Sequence, residues 1–148
     1  MQQDLQPLVF EFVEAFARFE YALQRTGSRN GKIGDTPTTC WEKAREKLAE
    51  YKWTGAAQAL LNAKPTRQTI AADGFNFVPV PSAGKNDVGL ALALVKAVRN
   101  NLFHGGKMDK SGWDDPKRLF ELLPPATQIV RDMADADIDV RAYFRNEF

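Results

Sequence analysis

Apolar residues recur every three or four positions through most of this 148-residue chain, and that period leaves little besides a helical fold. Leu5, Leu8, Phe12, Phe16, Phe19 and Leu23 set the pattern. They mark one face of an amphipathic helix over Asp4 to Arg25. TGSRNGKIGDTP follows, and its glycines, proline and small polar residues read as a surface loop. Its Gly-Lys pair lacks the spacing of a phosphate-binding Walker loop. A second helix is expected from Thr39 to Lys52, with Thr38 or Thr39 as cap and Glu42 completing a capping box. Trp41, Ala44, Leu48 and Tyr51 are its buried stripe. Gly55 precedes a shorter helix, Ala56 to Ala63, that stops at Lys64-Pro65.

From Pro65 to Lys85 the helical period disappears. Three prolines and two glycines fall in this stretch, and prolines two apart argue against a central strand. It reads as an extended connection lying over the helices by Phe75, Phe77 and Val78, with a short hairpin as the less favoured alternative. Asn86 or Asp87 then caps a helix holding VGLALALVKAVRNNLF, and Gly105 is a natural stop. Asp115-Pro116 opens another helix, which Pro124-Pro125 should interrupt or kink. Asp139 to Asn146 adds a last short one. The fold class is therefore all-α, a four- to five-helix bundle with one extended proline-containing connection, in a single domain over residues 1–148.

Composition narrows the function classes. Hydrophobic residues make up 44% and charged residues 26%, as in soluble globular proteins. The net charge of +1 provides no broad basic surface, so any nucleic-acid contact must be local. One cysteine, Cys40, excludes an internal disulfide. No segment reaches membrane-spanning length and the N-terminus lacks a signal pattern, so the expected location is cytoplasmic. One histidine and one cysteine do not make a metal site.

The stretch KAVRNNLFHGGK concentrates the chemistry. It holds Arg99, Asn100 and the chain's single histidine, His104. At about 100° per residue, Ala91, Leu94, Val95, Val98 and Leu102 face the core, while Ala93, Ala97, Asn100 and His104 form a second stripe. Small residues leading to polar ones suggest close approach by another helix, and a homodimer crossing there is expected. On the first helix, Phe10, Val13 and Ala17 lead to Glu20. That carboxylate is either a boundary residue or a partner that orients Arg99 or His104. Lys107 is either an exposed lysine or a source of added charge.

Arg99-Asn100-x-x-x-His104 at the end of a main helix, in an all-α chain of this length, resembles the HEPN domain family. FARFEYALQR, from Phe16 to Arg25, is also similar to the opening helix of some stand-alone bacterial members. The resemblance implies a four- or five-helix domain acting as a metal-independent endoribonuclease in a toxin or phage-defence role. It further implies a homodimer whose two motifs share one cleft, an RNA substrate, no cofactor, and in toxin members an antitoxin partner. Arg99, Asn100 and His104 would be the catalytic group, supported by Glu20 and Lys107. A non-catalytic dimer that binds RNA or protein is the alternative. Some toxin members carry a tyrosine two positions after the histidine that their antitoxin modifies. Gly106 stands there in this chain.

Overall fold

Twenty residues at helical spacing, opened by Pro7 in the first turn, form α1 (Gln6–Arg25). The computed structural model describes residues 4–103, 108–109, 112–113 and 116–147. Phe12, Ala15, Phe16, Phe19, Ala22 and Leu23 are the buried face of α1. Each fully buried phenylalanine contributes about 1.5–3 kcal/mol of hydrophobic stabilisation. The rings of Phe12, Phe16 and Phe19 succeed one another at centroid separations of 5.9 and 6.4 Å.

The chain then turns through β1 (Arg29–Asn30) and β2 (Thr38–Thr39), a minimal antiparallel pair, into α2 (Trp41–Lys47) and α3 (Gly55–Asn62). The second helix is shorter than expected, and the cap is not the one expected. Cys40 occupies the cap position without a side-chain bond, because the Thr39 hydroxyl is committed to Glu20. Thr54 caps α3 by accepting the N–H of Ala57 at 3.1 Å.

The extended connection over 65–85 is a correction. Residues here form a β-hairpin, β3 (Thr66–Ala71) with β4 (Gly74–Pro79), in register from Thr66↔Pro79 to Ala71↔Gly74. Prolines bar a central strand, but a two-stranded hairpin has none. Pro79 sits at the open end, where a missing N–H is tolerated. Ala72 and Asp73 form the two-residue turn, and Gly74 follows it at φ 140°. Phe75 and Phe77 are not buried by the packing expected of them. They are 65% and 53% exposed.

The motif helix is α4 (Asp87–Phe103), capped by Asn86, whose Oδ1 accepts the N–H of Gly89 at 2.9 Å. It is apolar most of the way round, as an enclosed helix must be. Val88, Ala91, Leu92, Leu94, Val95, Ala97, Val98 and Leu102 are all buried. It packs against α5 and β3, with α2 and α3 also in contact. A further short pair, β5 (Met108–Asp109) with β6 (Gly112–Trp113), precedes α5 (Pro116–Ala134). Pro124 and Pro125 do not end α5, which runs through them. Leu122, Leu123, Ala126, Ile129, Val130 and Met133 bury on both sides of the pair. That packing offsets a cost of about 3 kcal/mol for an interior proline. Pro124 is also exposed, so water can reach the carbonyl it leaves unpaired.

Last comes α6 (Ile138–Arg145), capped by Asp137, which accepts the N–H groups of Asp139 and Val140 at 3.1 and 3.0 Å. Asp137→Ala should cost about 1 kcal/mol by stranding both donors, read as a lower midpoint in urea unfolding with unchanged slope. The architecture is mainly helical, with six helices and three small hairpins among the described residues rather than a purely α four- to five-helix bundle. No helix among them is long and apolar enough to cross a membrane.

Candidate functional site

Helix α4 has to deliver a charged side chain at its C-terminal turn from an otherwise apolar shaft. The guanidinium of Arg99 lies over two aromatic rings, 5.6 Å from the centroid of Phe16 and 5.5 Å from that of Phe103. Such cation–ring contacts hold the planar group in a fixed pose without neutralising its charge. Its Nη1 donates to Asn100 Oδ1 at 3.1 Å. Its Nη2 stands 3.9 Å from Glu20 Oε1 on α1, at the outer limit of an ion pair. The buried Nε has no hydrogen-bond partner among the described residues. Arg99 remains 42% exposed at its side chain, so donors of its five-donor fork are left for an incoming group.

Glu20 is anchored from the other direction. Its Oε2 accepts the Thr39 hydroxyl at 2.8 Å, and Thr39 Oγ1 in turn accepts from Gln24 Nε2 at 3.1 Å. The chain Gln24–Thr39–Glu20–Arg99–Asn100 therefore runs from α1 through the end of β2 to α4. Three of the five sequence-derived site residues, Arg99, Asn100 and Glu20, are brought together. His104 and Lys107 lie outside the described residues, as do Gly105, expected to stop α4, and Asp115, expected to cap α5.

The two adjacent asparagines have separate work. Asn100 is exposed and bonds Arg99, whereas the Asn101 amide donates to the Thr66 carbonyl and pins the end of α4 to the hairpin. Sequence reasoning missed Thr39 and Gln24 as members of the network. The available signal was Glu20 and Gln24 at i and i+4, which share one face of α1. It also missed the aromatic floor. Phe16 meets Trp41 with centroids 6.0 Å apart and the rings tilted by 46°, and Lys96 lies 4.9 Å over the Trp41 ring.

The second stripe of α4 needs correction. Ala97 is only 5% exposed within the single chain, and Ala93 is half-buried. The chain's own packing covers Ala97, so the stripe is not a continuous open apolar face that requires a second copy. The flanking stripe of α1 differs as well: Phe10 and Ala17 face outward, with Phe10 65% exposed. No group of three histidine, cysteine or carboxylate residues suited to a metal ion occurs among the described residues. No protein-family model, curated protein or solved structure matches this chain.

Proposed function

We propose that the protein is a metal-independent endoribonuclease of the HEPN type, cutting RNA by attack of the internal 2′-OH on the adjacent phosphate. The observation that carries the reading is the pose of Arg99. Its guanidinium is held by two rings and Asn100, with donors unspent, five residues before the chain's single histidine. A guanidinium so fixed can grip two phosphate oxygens and offset the charge that grows on them. Imidazole at His104 exchanges the proton near neutral pH. Because RNA supplies the nucleophile, alignment replaces an activated water. Glu20 steadies Arg99, Asn100 fixes its rotamer, and Lys107 adds positive charge. The working form is a homodimer with the two motifs across one cleft, in a toxin or defence role with an antitoxin as its natural controller.

Purified protein incubated with mixed RNAs should cut them equally with and without a chelator, leaving a 2′,3′-cyclic phosphate and a 5′-hydroxyl. A substrate carrying 2′-deoxy at the scissile nucleotide should remain whole. Cutting of that substrate, or loss of activity in chelator, would exclude transesterification.

A specific contact favours a second reading. Arg99 already has a carboxylate partner in Glu20, as an arginine that merely braces a helix end would. In that case the protein is a non-catalytic module that binds RNA or protein. RNA retention on a filter with no cleavage by the unmodified protein would select it.

A further inference from the structure

The other end of α4 carries a basic depression that the proposed cleavage chemistry does not use. It has a volume of about 610 Å³ and is bordered by Arg45 of α2, by Gly84, Lys85 and Asn86 ahead of α4, and by Gly89, Ala93 and Lys96 along it. Three cations thus converge on one hollow. None of them makes an ion pair with a carboxylate among the described residues. Lys96 is half-buried against Trp41, and burial together with the neighbouring Arg45 charge holds its ammonium below the usual lysine value. Three cations without a carboxylate at ion-pair distance, one of them half-buried, make an anion the favourable occupant.

Gly89 lines the hollow beside the Asn86 cap. A Cβ there would stand 2.9 Å from Asn86 Oδ1, so the asparagine cap would have to shift, while its 3.7 Å distance to Arg45 Cδ would be ordinary contact. The hollow also shares one side of α4 with Asn100 of the Arg99 cluster. Gly89, Ala93, Lys96 and Asn100 fall within an arc of about 60° on α4, and the run from Gly89 to Asn100 covers about 16 Å of helix. Beneath it lies one aromatic floor, since Lys96 sits on Trp41, Trp41 on Phe16, and Arg99 on Phe16. A second copy of the chain is a poor occupant of the hollow itself, because a two-fold contact centred on Arg45, Lys85 and Lys96 would oppose like charges.

We propose that the Arg45–Lys85–Lys96 hollow binds a backbone phosphate of the RNA strand, other than the scissile one, and so sets how the strand runs along α4 to Arg99. This rests on the ribonuclease reading for the identity of the strand, while the hollow's anion chemistry stands apart from cleavage. A phosphate held at one end of the helix fixes the register of the linkage at the other, and contributes binding that does not depend on base sequence.

The test uses the full chain and a fluorescein-labelled single-stranded 2′-O-methyl RNA, which binds but offers no nucleophile. Arg45 and Lys85 are exposed, so Arg45→Glu with Lys85→Glu should leave the thermal melt intact. Affinity at ~0.1 M salt should fall about 10-fold or more, and the log–log salt slope should shrink by about 1–2. Lys117→Glu with Arg131→Glu, on α5, makes the same change in net charge outside the hollow and should have little effect. Equal weakening by the two pairs would overturn the inference as a general charge effect. An unmodified protein that cuts RNA, alongside an Arg45/Lys85 variant that binds and cuts as well, would overturn it while leaving the ribonuclease reading intact. Loss of binding in that variant, with no cleavage by the unmodified protein, would support the hollow and remove the ribonuclease reading.

Discussion

Arg99→Ala should lower RNA cleavage by on the order of 10² or more, with a melting temperature within a few degrees of the unmodified protein. The first half follows from what the guanidinium supplies. A pre-positioned donor pair at the phosphate is worth its full strength only as charge develops there, so its loss is felt in kcat more than in KM. The second half follows from exposure. With 42% of its side chain in solvent and its carboxylate partner 3.9 Å away, Arg99 contributes little to folding, as is usual for such pairs. Arg99→Lys should not rescue activity, since an ammonium neither stacks as a plane on Phe16 and Phe103 nor grips two oxygens in parallel. His104→Ala should produce a loss of similar size, because proton transfer is worth about 10²–10⁴. The double variant should be little worse than either single one if the two act as a unit. Asn100→Ala should cost less, since Asn100 acts by holding Arg99. Single-turnover assays on each purified variant decide the matter, and an Arg99→Ala protein within threefold of full activity would sink the ribonuclease mechanism.

Phe19→Ala should cost about 3–5 kcal/mol, a large share of the roughly 5–15 kcal/mol that holds a typical domain together. Phe19 is 0% exposed and meets the edge of the Phe16 ring, so truncation leaves a cavity that neighbouring side chains fill only in part. At roughly 2–4 °C per kcal/mol for a chain of this size, the melting temperature should fall by roughly 6–20 °C. Phe10→Ala, nine residues earlier on the same helix, provides the contrast. Its ring is 65% exposed, and the change should stay within about 0.5 kcal/mol. Paired thermal melts of the two variants test the orientation of α1 directly. Equal losses would mean that the helix is rotated from the described packing.

Helix positions were legible because burial imposes a period. The core face of α1 and the course of α4 follow from spacing alone, to within two residues at the ends of α1. What spacing could not reveal was competition for a side chain. Thr39 looks like a cap by position, yet its hydroxyl serves Glu20, a residue 19 positions earlier. The hairpin was obscured by prolines that forbid a central strand but not an edge. The stripe through Ala97 was misread because a small residue permits close approach by any neighbour, and here the neighbour belongs to the same chain. At the site, Arg99 and Asn100 were visible as adjacent letters. The aromatic floor was not, since Phe16, Trp41 and Lys96 come from three helices and each has an ordinary place in its own pattern.

Helix α1 has two clients. On one side it offers Phe16 and Glu20 to Arg99. On the other it is clasped by α6: Arg18 donates to the Phe144 carbonyl, Arg25 to the Tyr143 hydroxyl, and Tyr21 meets the Tyr143 ring edge-on at 6.3 Å. The last helix of the chain thus sets the seat of the helix that steadies the arginine, without touching the arginine itself. A change at Tyr143 or Phe144 therefore reaches the arginine only by way of α1, through the same helix that carries Phe16 and Glu20.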